Sequence, residues 1–190
     1  MTILIIGLVL FLGIHSISIV APGLRARAAA ALGPNPWRGL YALVSLAGFL
    51  LIIYGFHLAR QAPVVLYALP AWTRHLTLLF MLPVFPLILA AYLPGRIRTA
   101  LKHPMLAAVK FWALAHLLSN GMLADVLLFG SFLVWAVADR ISFKRRPPQV
   151  VPTAPPGRFN DVIAVIAGLA LYAVFIRWAH AWLFGVSPVG

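Results

Sequence analysis

The side chains best suited to chemistry in this chain are imidazoles set in apolar surroundings. His15 stands in FLGIHS, and His116 follows FWALA one turn before Asn120. A neutral imidazole either ligates a metal or ties one helix to another by a hydrogen bond. The stretch from His103 to Asp125, HPMLAAVKFWALAHLLSNGMLAD, adds Lys110, Asn120 and Asp125 to His116. Ionisable groups are costly at bilayer depth, so each needs a partner, a water-filled cavity or a bound cofactor. Cysteine is absent, which excludes disulfides, thiolate ligands and iron–sulfur clusters. Metal chemistry then falls to imidazole, carboxylate, methionine or carbonyl groups. With three acids in all, the composition argues against carboxylate-based hydrolysis as well. Phosphate-binding glycine loops, nucleophile elbows, H-E-x-x-H and EF-hand spacings do not occur.

The elements that must position these groups are membrane helices. Of 190 residues, 63% are hydrophobic and 9% charged, and the mean hydropathy is +1.00. A soluble domain of this length has too little interior to hide so much apolar surface. The expected fold is an all-α integral membrane bundle of about six transmembrane helices, one domain over residues 1–190 with the lipid bilayer as its partner. The first span runs from Thr2 to Val20 and ends at Ala21-Pro22-Gly23. It lacks the features of a cleavable signal, so it is expected to stay. Arg25 to Leu32 reads as a short interfacial helix. The second span covers Trp37 to Leu58, and the third His75 to Leu93, kinked at Pro83 and Pro86.

A basic loop with Arg96, Arg98, Lys102 and His103 precedes a short fourth span, Met105 to Leu118. After the turn Ser119-Asn120-Gly121 comes the fifth, Met122 to Ala138, in which Asp125 is the only acid inside a span. The proline-rich tract at about 147–157 reads as an exposed linker. The sixth span, Val162 to Trp182, is expected to be capped by Asn160-Asp161.

The net charge of +12 would suggest nucleic acid in a soluble protein. Here the cations fill short loops, which marks them as topology determinants and argues against a nucleic-acid partner. Loops one, three and five carry eleven Lys and Arg, while the opposite side has only Arg60 and Arg74. That bias places both termini outside the cytoplasm. Fusing spans four and five would need a helix of about 50 Å, too long for the bilayer.

Spans one and four then run in opposite directions. His15 lies roughly 20 Å from the outer surface and His116 roughly 17 Å from the inner one, so their depths differ by only about 7 Å. Two imidazoles at similar depth on different helices are what a bis-histidine haem requires. The alternative is that each only hydrogen-bonds a neighbouring helix. His103, at the start of span four, reads as a group that supports a ligand rather than as the ligand. Lys110 lies seven residues on, on the same face, and is expected to look onto a polar cavity. With Arg96, Arg98 and Lys102 it could meet haem propionates or an anionic substrate, or simply snorkel. Asp125 is expected to pair with a histidine, Lys110 or a turn amide, and Asn120 stands one turn from His116.

These residues carry a resemblance. FLGIHS, AAYLPGRIRTALKHPM, WALAHLLSNG and FLVWAVADR resemble the NnrU family of bacterial membrane proteins, associated with denitrification and nitric oxide metabolism. The resemblance covers nearly the whole chain apart from the linker and implies a place in the bacterial cytoplasmic membrane. A histidine followed by serine in an early helix, and then H-P…A-H with the thirteen-residue step from His103 to His116, is similar to zeta-carotene isomerase. That second resemblance implies haem b on His15 and His116, and redox-dependent isomerisation of a hydrophobic polyene. The isomerase has a cysteine three residues before its second histidine; here Ala113 stands there, which removes thiolate ligation and weakens the isomerase reading. A third reading is a membrane assembly or transport protein without haem.

Overall fold

The computed structural model describes residues 1–146 and 152–189. The first part of the expected proline-rich linker, 147–151, therefore lies outside the described residues. The chain is all-α: α1 Thr2–Val20, α2 Pro22–Leu32, α3 Pro34–Gln61, α4 Thr73–Met81, α5 Val84–Tyr92, α6 Arg96–Leu101, α7 Pro104–Leu117, α8 Leu123–Ser142, α9 Asn160–Val174, a π-helical turn Phe175–Ala179 and α10 His180–Phe184. Four helical stretches are long and apolar enough to cross a membrane: Thr2–Val20, Pro34–Gln61, Thr73–Tyr92 and Asn160–Phe184. The third of these breaks at Leu82-Pro83, where proline removes a backbone donor. α7 is apolar but short. α8 is twenty residues long, with Asp125, Asp139 and Arg140 near its ends.

The helices gather into two compact units. The first comprises Met1–Ala68 with Gly121–Ser142, and the second Leu69–Asn120 with the described residues from Phe143 on. In the first unit α1 packs antiparallel to α3 with almost no space between their backbones. A Cβ on Gly55 would lie 2.3 Å from the Leu4 nitrogen, and one on Gly48 2.7 Å from the Phe11 nitrogen. From the other side, a Cβ on Gly7 would lie 2.6 Å from the Ile52 nitrogen. Gly48 and Gly55 are two helical turns apart and so share a face. Lipid gives helices no hydrophobic reason to associate, so close backbone approach at small residues supplies the dispersion contacts instead. α8 runs parallel to α1: the rings of Phe11 and Phe132 stand 5.7 Å apart, and those of His15 and Trp135 6.1 Å.

An extended connector closes this unit. Val64 O accepts from Leu123 N at 2.8 Å, and Gly121 O accepts from Leu66 N at 2.8 Å. The expected turn at Gly121 thus serves as a pairing partner for the chain beyond α3. α8 also runs one turn further than the sequence reading has it. The Ser142 hydroxyl donates to the Asp139 carbonyl at 2.7 Å and satisfies an orphan acceptor at the helix end. Asp139 is consequently inside the helix and buried, so Asp125 is not the only acid within that segment.

In the second unit α5 and α9 cross at Gly168, whose added Cβ would meet the Pro86 nitrogen at 2.4 Å. The Tyr172 hydroxyl donates to Leu78 O at 2.8 Å, beside the break at Pro83, where the helix ladder has carbonyls to spare. Asn160 and Asp161 do not cap their own helix. Asp161 accepts from the backbone nitrogens of Arg96 (2.7 Å) and Ile97 (3.1 Å), and Asn160 donates to Pro94 O and Pro155 O. The physical reason is that Pro94-Gly95 leaves the first turn of α6 without a local side-chain cap. A carboxylate brought in from 65 residues away fills that role. Replacing Asp161 by alanine is expected to cost about 1 kcal/mol and to fray α6. Faster amide exchange at Arg96 and Ile97, with the other helices unchanged, would show it.

Candidate functional site

Each of the two central histidines is set by its own unit. In the first, the His15 Nδ1–H donates to Phe11 O, four residues back, at 2.6 Å. The imidazole stacks on the Phe11 ring at 4.3 Å, with Tyr41 of α3 at 5.3 Å and Trp135 of α8 edge-on. Phe11 is itself fixed, since its backbone rests on Gly48 and its ring lies against Phe49 and Phe132. The glycine packing of α1 on α3 therefore reaches the imidazole through Phe11. The buried Asp139 stands one turn after Trp135 on the same helix.

In the second unit the same local device recurs. The His116 Nδ1–H donates to Trp112 O at 2.8 Å, and the indole of Trp112 stands 5.5 Å from the imidazole. A carbonyl can only accept, so Nδ1 carries the proton in both rings and Nε2 carries the lone pair of the neutral form. The Asn120 side-chain amide donates to His116 O at 3.0 Å, which ends α7 by satisfying a last-turn carbonyl. Nearby, the Thr77 hydroxyl bonds Ala115 O at 3.0 Å and also pairs with the Ser119 hydroxyl, tying α4 to α7. His180 has the same tautomer, with Nδ1–H donating to Val186 O at 2.7 Å. That bond folds the chain end back onto α10 and is not the one-turn lock of the other two rings.

The remaining expected residues fall as follows. His103 is the N-cap residue of α7, its ring stacked 3.8 Å from that of Phe143, and the Arg146 guanidinium sits over the same Phe143 ring, 4.1 Å from its centroid. Arg96 and Arg98 belong to α6, and Lys102 forms its C-cap in a left-handed conformation at φ 63°. The segment expected as a basic loop is thus a short helix, and the reversal at Lys102 turns it directly into α7. Lys110 lies two turns into α7 and is half-buried. Asp125 belongs to the first unit, is buried, and accepts from the turn amide of Met122 at 3.1 Å. Of the partners expected for it, the turn amide is the one observed. Among the described residues no group of three or more His, Asp or Glu side chains could hold a metal ion. What the chain does offer is two imidazoles, those of His15 and His116, each oriented by a carbonyl one turn back. The sequence carries that signal as an aromatic four residues before each histidine, Phe11 and Trp112. The glycine contacts around Phe11 were missed, although the seven-residue step from Gly48 to Gly55 was there to be read.

Comparison with known proteins gives one match. The profile of the NnrU family, described as NnrU protein, matches residues 3–188. Neither the curated proteins nor the solved structures yield a match to this chain.

Proposed function

Because the chain belongs to the NnrU family, we propose that this membrane protein binds haem b through His15 and His116 and acts in redox physiology linked to nitrogen oxides and denitrification. The supporting observation is the shared lock on the two rings. Nδ1–H is held by the carbonyl one turn back in each, at 2.6 and 2.8 Å. Metal-ligating histidines commonly donate their second ring nitrogen in this way, which fixes the tautomer and raises the basicity of Nε2. The donor set also suits iron in a porphyrin. Two neutral imidazoles suffice when the macrocycle supplies the other ligands, so no three-residue metal group is needed.

Haem bound in this way would supply one-electron chemistry. The chain's own residues hold the imidazoles and exclude water around them. Phe11, Tyr41 and Trp135 enclose the His15 ring, and Trp112 stands beside His116. Arg96, Arg98, Lys102 and Lys110 are the cations assigned to propionates or to an anionic substrate. Asn120 and Asp125 hold the end of α7 and the start of α8, and His103, at the N-terminus of α7, is assigned a supporting rather than a ligating place. The protein is assigned to the bacterial cytoplasmic membrane with six crossings and both termini outside, on the loop charge bias of eleven to two. A reporter fused at Gly190 that is active only in the cytoplasm would overturn that orientation.

The deciding experiment is the absorption spectrum of the detergent-purified protein, oxidised and reduced. Low-spin haem b bands are expected. A colourless protein that does not take up added haemin points instead to an assembly or transport role. Turnover of a cis-carotenoid by the coloured protein would favour the isomerase reading over the nitrogen-oxide one.

A further inference from the structure

We propose that a groove beside α6 in the second unit is a binding site for the headgroup of an anionic phospholipid. Pro94, Gly95, Arg96, Thr99 and Ala100 form one wall and Pro156 the other, around about 540 Å³. Both walls are tied together. The Asn160 side-chain amide donates to Pro94 O at 2.8 Å and to Pro155 O at 3.1 Å, and Ala154 N donates to Tyr92 O at 2.9 Å. A groove held in this way needs little ordering when a ligand enters.

Charge selects an anion. Arg96 is exposed, and Arg158, exposed as well, follows Pro156 by two residues, its guanidinium over the Phe159 ring at 4.4 Å. Asp161, the one acid of the second unit, accepts from the backbone nitrogens of Arg96 and Ile97. The amides that start α6 are therefore taken, and the Thr99 hydroxyl gives its proton to Gly95 O at 3.0 Å. The groove offers guanidinium groups, not a helix end. Position makes the anion a lipid. Tyr92 and Asn160 end two stretches long and apolar enough to cross a membrane, so the groove lies at headgroup level, where basic pockets bind anionic lipids. Its prolines have no N–H for a free phosphate but give glycerol and acyl carbons an apolar surface. Beside it Tyr92 and Phe159 are 49% and 56% exposed, open to the chains. Arg98, Lys102 and Lys110 do not line the groove and remain for propionates, so the inference needs no haem.

The test uses the full chain in detergent, with phosphatidylglycerol and phosphatidylcholine of the same acyl chains as probes, the bound lipid read by native mass spectrometry. One phosphatidylglycerol per chain is expected, about fivefold or more tighter than phosphatidylcholine. Arg96→Gln and Arg158→Gln should each weaken it about fivefold, the effect of one surface cation. Ala100→Trp fills the groove, keeps every cation and should also lose the lipid. Arg27→Gln removes the same charge from an exposed position of α2 in the first unit and should bind as the wild type does. Equal retention of the two lipids, or equal losses in Arg96→Gln and Arg27→Gln, would reduce the effect to diffuse attraction and overturn the proposal. So would displacement of the lipid by excess inorganic phosphate, or full binding by Ala100→Trp. Lipid mass is read with or without haem, which keeps a failure here apart from a failure of the haem reading.

Discussion

Alanine at His15 or at His116 is expected to remove the reduced low-spin absorption bands of the purified protein, each substitution alone being sufficient. Bis-histidine ligation would need both imidazoles, so the loss of either would leave haem held by one histidine or not held at all. Neither ring has a carboxylate on its own helix to account for it as an ion pair, since the three acids are Asp125, Asp139 and Asp161. Asp139 is buried one turn after Trp135, which packs on His15, so Asp139→Asn is a useful companion. It should shift the reduced bands or the midpoint potential without removing haem, as expected for a charge near a ligand rather than a ligand. His180→Ala should leave the bands alone, because that ring serves the fold of the chain end. Added imidazole should restore six-coordinate bands in the single variants. If such bands survive in the His15→Ala, His116→Ala double variant, iron is held elsewhere and the assignment fails.

The second large effect is expected at Gly55. The three atoms nearest to its new Cβ all belong to backbone: Leu4 N at 2.3 Å, Leu4 Cα at 2.6 Å and Ile3 C at 2.8 Å. Backbone cannot swing aside as a side chain can, so α1 and α3 must move apart along their whole contact. Gly55→Ala should cost about 1–3 kcal/mol, and Gly55→Val more, enough to lose the folded protein from mild detergent. Gly48→Ala should carry a similar penalty and also disturb the His15 environment, because its Cβ would press on the Phe11 nitrogen at 2.7 Å. Gly13→Ala and Gly39→Ala meet nothing within 4 Å and serve as controls. Thermal unfolding in detergent reads the difference. A Gly55→Val protein as stable as Gly13→Ala would show that the two helices do not touch in this way.

Composition and hydropathy settled the class of this protein, because no soluble fold can absorb so much apolar surface. Proline and glycine punctuation placed the helix ends with similar success: the stop after Val20, the break at Pro83 and the turn at Gly121 all lie where local backbone chemistry demands them. The resemblance to the NnrU family is carried by local residues such as FLGIHS and WALAHLLSNG, and the match over residues 3–188 establishes the family. Roles that depend on contacts distant in sequence were decided only by the folded chain. Asn160-Asp161 read as a local cap, yet Asp161 holds the first turn of α6, because the vacancy it fills is created by Pro94-Gly95. Asp139 looked like the start of a loop but is a buried helical residue, once Ser142 bonds back to its carbonyl. The spacing of Gly48 and Gly55 is visible in the sequence, but which helix they admit is not. That depends on two backbones approaching face to face, and a linear pattern contains no distance between them.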